Sequence, residues 1–132
     1  MRHFAAEQWE ARLDAVMHEL DVFLEEKYAG AYTLHPARPR RGKTANPAQD
    51  GLFGITANFS LGLGSNVGKG YVVDIKLVTL QHVPEDVRDQ IEAEAMQKLE
   101  TLLPKYFPET NLQITMDGNI VKIYGDLKLG NA

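Results

Sequence analysis

The sequence contains no cysteine. Without cysteine there is no disulfide framework, no cysteine zinc site, no iron–sulfur cluster and no thiol nucleophile. Long apolar runs are also missing, because a membrane span needs about 20 apolar residues and the runs here are only a few residues long. The first acids, Glu7, Glu10 and Asp14, leave no room for the apolar core of a signal peptide. We therefore expect a cytoplasmic protein that does not associate with membranes.

Motifs for metal, nucleotide and catalytic chemistry are lacking as well. No two of the four histidines have the three- or four-residue spacing of a helical metal site; they are His3, His18, His35 and His82. Gly42-Lys43-Thr44 matches the end of a phosphate-binding loop, but Ala37 stands where that loop needs glycine. We therefore expect no metal and no cofactor, and we assign no catalytic residue.

The composition that remains is typical of a globular protein. The chain has 132 residues, of which 44% are hydrophobic and 24% are charged. A chain of this length buries roughly two-thirds of its unfolded surface when it folds. We expect a single domain over residues 1–132.

Two segments have apolar residues at the spacing of an amphipathic helix. The first predicts a helix over residues 5–29, with Gly30 as its stop. Its apolar stripe includes Trp9, Leu13, Val16, Leu20 and Phe23. Pro84, followed by two acids, predicts the start of a second helix that covers residues 84–103 and is closed by Pro104 and Pro108.

Four further segments alternate between apolar and polar residues, which predicts strands with one buried face. The first two strands flank a glycine-rich segment, 62–70, and form a hairpin. With Asn66 at the centre of its turn, Phe59 faces Val73 and Ala57 faces Ile75. The last two flank Asp117-Gly118, a pair typical of two-residue turns. That turn pairs Met116 with Asn119, Ile114 with Val121 and Leu112 with Ile123.

The order of these elements predicts an α+β fold. We expect a two-layer sandwich, in which a four-stranded, mainly antiparallel sheet built as β-hairpin, helix, β-hairpin carries both amphipathic helices on one face. A right-handed crossover through the second helix leaves a gap that the last strand fills, which gives the sheet order 1-2-4-3. In the alternative, strands 2 and 3 pair directly in parallel.

The other face of this sheet is expected to be solvated and to carry cross-strand ion pairs. Its side chains are Asp74, Lys76, Lys122, Tyr124, Asp126 and Lys128. An RNA-binding sheet face has several aromatic residues for base stacking, and Tyr124 alone gives little support for that function.

The positive charge is concentrated in a proline-rich loop, residues 35–51, between the first helix and the first strand. The net charge is −4 over residues 1–34, +3 over residues 35–50 and −3 over the remainder. Four cations carry the positive charge: Arg38, Arg40, Arg41 and Lys43. Such a loop can present several donors to an anion. The simpler alternative is a solvated linker whose charge offsets the acidic remainder.

Three functions are compatible with these features. The first is a non-enzymatic binding or assembly module that engages an anionic partner, either an acidic protein surface or nucleic acid phosphates, through Arg38, Arg40, Arg41 and Lys43. The second is an enzyme or sensor that binds a phosphorylated or carboxylated small molecule between the basic loop and the sheet, near His35 or His82. The third is a homo-oligomer that pairs through the apolar stripe of the first helix or through an edge strand.

Overall fold

The structure, a computed structural model, describes residues 4–40, 42–44, 50–60, 70–117 and 120–125. Its elements in chain order are α1 (Phe4–Lys27), β1 (Phe53–Ser60), β2 (Gly70–Leu77), α2 (Glu85–Tyr106), β3 (Leu112–Asp117) and β4 (Ile120–Gly125). The strands form one sheet in the order β1-β2-β4-β3, and every neighbouring pair is antiparallel. The predicted α+β fold and sheet order are confirmed. The alternative parallel pairing of strands 2 and 3 is wrong.

The two helices differ from their predictions at their C-terminal ends. Helix α1 ends at Lys27, and Gly30 follows with a φ of +78°, the conformation expected of a helix stop. Helix α2 continues through Pro104 to Tyr106, so the prediction that Pro104 closes it is wrong. A proline removes one helical hydrogen bond, and here the last turn is held by burial of Leu103 and Phe107 and by the bond from Phe107 N to Leu103 O at 2.8 Å.

One hydrophobic core joins both helices to one face of the sheet. Helix α1 packs on β1, helix α2 packs on β3, and the helices contact each other. The Trp9 ring lies between Tyr71 and Phe107, with centroid distances of 5.0 and 4.8 Å. Of the apolar stripe of α1, Trp9, Leu13, Val16 and Leu20 are buried in this core, and Phe23 is partly buried against it.

Both hairpins have a register two residues away from the predicted one. In the first, Ala57 pairs with Val73 and Ile55 with Ile75. In the second, Ile114 pairs with Ile123. Asp117, which is predicted to lie in the turn, instead pairs with Ile120 as the last residue of β3. A shift of two residues leaves every side chain on its predicted face, so the alternating pattern alone does not distinguish the two registers.

Lys122 corrects the prediction of a fully solvated outer face. The sheet order makes β4 an inner strand, so Lys122 lies between Val72 of β2 and Thr115 of β3 and is only 2% exposed. Asp74 and Lys76 are exposed as predicted. Asp126 and Lys128 lie outside the described residues, as do Gly118 and residues 61–69, where the predicted turns fall.

Candidate functional site

The basic loop begins and ends beside the first hairpin. His35 N donates to Val78 O at 2.9 Å, which places the start of the loop next to the residue that follows β2. Gly51 N donates to Pro39 O at 2.9 Å and brings the two arms of the loop together. Of its residues, 35–40, 42–44, 50 and 51 are described, and none of these belongs to a helix or a strand. The prolines account for this, because each removes a backbone donor.

Arg38 holds the two arms in place. Its Nε donates to Gly51 O at 3.1 Å, and its Nη2 donates to Asp50 O at 3.2 Å and to Phe53 O at 3.1 Å. These three carbonyl oxygens belong to the returning arm and to the first residue of β1. The guanidinium fork suits such a set of acceptors, and a lysine has no equivalent geometry. Arg38 is therefore half-buried and fixes the loop to the sheet.

Asp50 organises the tip of the loop from the inside. Its carboxylate oxygen Oδ2 accepts hydrogen bonds from Gly42 N at 3.1 Å, Thr44 N at 3.1 Å and Thr44 Oγ1 at 3.0 Å. The residue is 1% exposed. Buried carboxylates need such donors, because burial without hydrogen bonds is costly. The sequence pattern does not indicate this role, and the one available signal is that Asp50 is the lone acid among the four bases of residues 35–50.

Glu25 of α1 ties the loop to the helix layer. Its Oε1 accepts from Leu52 N at 2.8 Å and its Oε2 from Phe53 N at 3.2 Å. Gly51 precedes these amides with a φ of +75°, and a Cβ at this position would lie 2.7 Å from Glu25 Oε1. Both the backbone conformation and the approach of the carboxylate therefore require glycine at position 51. The helical periodicity predicts only that Glu25 lies on the polar face of α1.

Of the four predicted site residues, one is half-buried, two are exposed and one lies outside the described residues. Arg38 faces the loop itself, whereas the side chains of Arg40 and Lys43 are exposed. Lys43 N donates to Arg40 O at 3.0 Å, so these two residues lie at the ends of one turn. Arg41 lies outside the described residues. The structure thus brings Arg40 and Lys43 together on a turn whose backbone Asp50 fixes.

A small cleft borders the loop on the side of α1. It has a volume of about 170 Å³, and its wall includes Arg40, Tyr32, Leu34 and Glu25. In the described part of the chain, neither His35 nor His82 lines it. The Nδ1 atom of His35 instead accepts a hydrogen bond from Ala37 N at 3.0 Å inside the loop.

Several contacts between ionisable side chains outside the loop join the two helices. Tyr28 donates its hydroxyl hydrogen bond to Glu94, and Lys27 Nζ lies 2.6 Å from Glu94 Oε2. Burial and the bond to the Glu94 carboxylate raise the pKa of Tyr28 to about 12. Nearer the start of α1, Glu19 accepts hydrogen bonds from Tyr106 and Lys105 of α2, and these bonds lower the pKa of Glu19. These groups stabilise helix packing.

Two further observations concern metals and membranes. Over residues 4–40, 42–44, 50–60, 70–117 and 120–125, no group of three or more histidine, aspartate or glutamate side chains is placed to hold a metal ion. In the same ranges, no helix combines the length and the apolar character needed to cross a membrane.

Comparison with known proteins places the chain in a family. A curated protein of Borreliella burgdorferi (strain ATCC 35210 / DSM 4680 / CIP 102532 / B31), described as "Uncharacterized protein", is 40% identical over 107 residues. The match covers 81% of this chain and 84% of that protein. No solved structure shows significant similarity to the chain. A family model described as "Uncharacterised protein" matches residues 4–125, so the chain belongs to that family.

Proposed function

We propose that this protein is a cytoplasmic, non-enzymatic binding or assembly module that engages an anionic partner through the tip of its basic loop. The observation that carries the proposal is the fixed turn between Arg40 and Lys43, whose backbone is held by the buried Asp50 carboxylate. A cation on a fixed backbone loses less conformational entropy on binding than one on a mobile linker.

An acidic protein surface fits this tip better than a nucleic acid does. The protein as a whole carries a net charge of −4, and residues 1–34 alone account for −4. A long phosphate backbone that contacted the loop would also pass these acids and be repelled. A compact patch of carboxylates matches the two clustered cations Arg40 and Lys43 without that penalty. Arg38 supports the site by positioning the loop, because its donors are used by backbone carbonyls.

The test compares two double variants that change the net charge equally. In the first, Arg40→Glu and Lys43→Glu reverse the tip of the loop. In the second, Lys76→Glu and Arg88→Glu reverse two exposed cations elsewhere on the chain. Binding is measured by fluorescence anisotropy with a labelled poly-glutamate peptide at low and at physiological salt.

We expect the loop variant to weaken poly-glutamate binding at least about tenfold, and the control to weaken it about threefold or less through its general charge alone. Equal losses in the two variants, or no binding by the unmodified chain at low salt, would contradict the proposal. A single-stranded oligonucleotide provides the second arm. Loop-dependent binding of the oligonucleotide without binding of poly-glutamate would overturn the acidic-protein assignment and indicate a nucleic acid partner.

The cleft beside Arg40 favours a second candidate function. An enzyme or sensor for a phosphorylated or carboxylated small molecule would use this cleft. Its wall is formed in part by Arg40, Tyr32 and Leu34. Its volume of about 170 Å³ is below the range of about 300–1,000 Å³ found for drug-sized ligands, so it suits only a small anion. Thermal stabilisation by inorganic phosphate, abolished by Arg40→Gln but not by Lys43→Gln, would favour this function over the first.

A further inference from the structure

The backbone of β1 presents its unpaired groups along the edge of the sheet. Val78 N donates to Leu52 O at 2.8 Å, so the residue at position 52 faces β2. Backbone direction alternates along an antiparallel strand, so residues 53, 55, 57 and 59 face the opposite way. The C=O of Phe53 agrees with this alternation, since it accepts from Arg38, which lies outside the sheet.

The edge is closed at its first residue and open beyond it. Glu25 and Arg38 occupy the outward N–H and C=O of Phe53. Among the described residues, no group takes the outward N–H and C=O of Ile55, Ala57 or Phe59, and β1 has no neighbouring strand on that side. The segment Phe53–Ser60 contains no charged residue and no proline. Natural proteins normally use such residues to protect an exposed edge.

We propose that a second copy of this chain pairs with this edge, antiparallel, with β1 against β1 and the two-fold axis at Ala57. The open stretch, Ile55 to Phe59, is centred on that residue, and a two-fold axis repeats each contact on both sides. Ile55 then lies opposite the partner's Phe59, which covers an aromatic side chain that is 48% exposed in the single chain. The result is a continuous eight-stranded sheet, twice the four strands of one chain.

The same axis brings two exposed, uncharged side chains together on the outer face. Thr56 lies opposite the partner's Asn58, and Asn58 lies opposite the partner's Thr56. Both side chains are exposed in the single chain. Opposite residues on antiparallel strands interact directly, attractively for unlike charges and repulsively for like charges. Charges introduced at positions 56 and 58 therefore test both whether β1 pairs with a second β1 and in which register it does so.

The experiment uses two double variants and measures molar mass by sedimentation equilibrium. Thr56→Lys with Asn58→Lys places like charges opposite each other twice. Thr56→Lys with Asn58→Glu places unlike charges opposite each other twice. We expect the unmodified chain to reach twice its monomer mass of 14.7 kDa. The dissociation constant of the like-charge variant should exceed that of the unlike-charge variant at least about tenfold, and the ratio should shrink at high salt.

Several outcomes would overturn the pairing. A monomeric unmodified chain at about 1 mM would do so, because a pairing with a dissociation constant below about 1 mM is populated at that concentration. Equal dissociation constants for the two variants would exclude the register at Ala57. Amide exchange in the unmodified chain gives an answer that does not depend on the variants. The outward amides of Ile55, Ala57 and Phe59 should become protected as concentration rises, and unchanged exchange would contradict the pairing.

Discussion

The carboxylate of Glu25 offers the sharpest test of how the basic loop is held. Glu25→Gln preserves the shape of the side chain but replaces one of its two acceptor oxygens with an NH₂ donor. In the structure both oxygens accept from backbone N–H groups, those of Leu52 and Phe53. In the variant, the glutamine carbonyl oxygen can accept a hydrogen bond from one of these two amides. The glutamine NH₂ group then faces the N–H of the other amide, and two donors cannot bond to each other.

The size of the effect follows from these two bonds. A hydrogen bond to a charged group contributes about 1.5–3 kcal/mol, and a neutral one contributes about 1 kcal/mol. Glu25→Gln loses one charged bond and converts the other to a neutral one, in a half-buried site where water replaces part of the loss. We expect the free energy of unfolding to fall by about 2 kcal/mol, out of a typical total of about 5–15 kcal/mol. For a chain of this size that corresponds to a drop in Tm of about 7 °C.

Glu26→Gln is the matched control, because it makes the same charge change one residue away on an exposed side chain. Its free energy of unfolding should stay within about 0.5 kcal/mol of the unmodified chain. Urea unfolding followed by circular dichroism measures both variants, with equal slopes required for the comparison. The reasoning is refuted if Glu25→Gln and Glu26→Gln unfold at the same urea concentration.

Two further predictions concern the loop and the helix interface. Arg38→Ala removes three hydrogen bonds to backbone carbonyls, so it should lower the free energy of unfolding by about 2 kcal/mol and speed trypsin cleavage within the loop, whereas Arg40→Ala should stay within about 0.5 kcal/mol. Unchanged cleavage in Arg38→Ala would show that the loop is held by other contacts. Burial and Glu94 raise the pKa of Tyr28 from 10.0 to about 12, so the unfolded chain releases this proton first and stability should fall as pH rises from 10 to 12. Glu94→Gln should lower the Tyr28 midpoint in an ultraviolet titration and weaken this pH dependence; an unmoved midpoint would contradict the assignment.

Local sequence signals predict part of the candidate site but not all of it. The concentration of positive charge over residues 35–50 and the irregular backbone of the loop are both local properties, and both were predicted. The difference between Arg38 and Arg40 was not predicted, because it depends on which guanidinium meets the carbonyls of Asp50, Gly51 and Phe53. Those carbonyls lie 12 to 15 residues away along the chain. No periodicity or composition distinguishes two arginines that are two positions apart.

The sequence by itself determined the two helices, the four strands, the buried face of each element and the location of the cationic loop. These features depend on residue spacing and on charge, which act over a few neighbouring positions. Tertiary structure decided the register of both hairpins, the burial of Lys122 on an inner strand and the roles of Glu25, Arg38 and Asp50. Each of these depends on groups far apart in the chain, and a two-residue slip or an exchange of arginines leaves the local pattern unchanged.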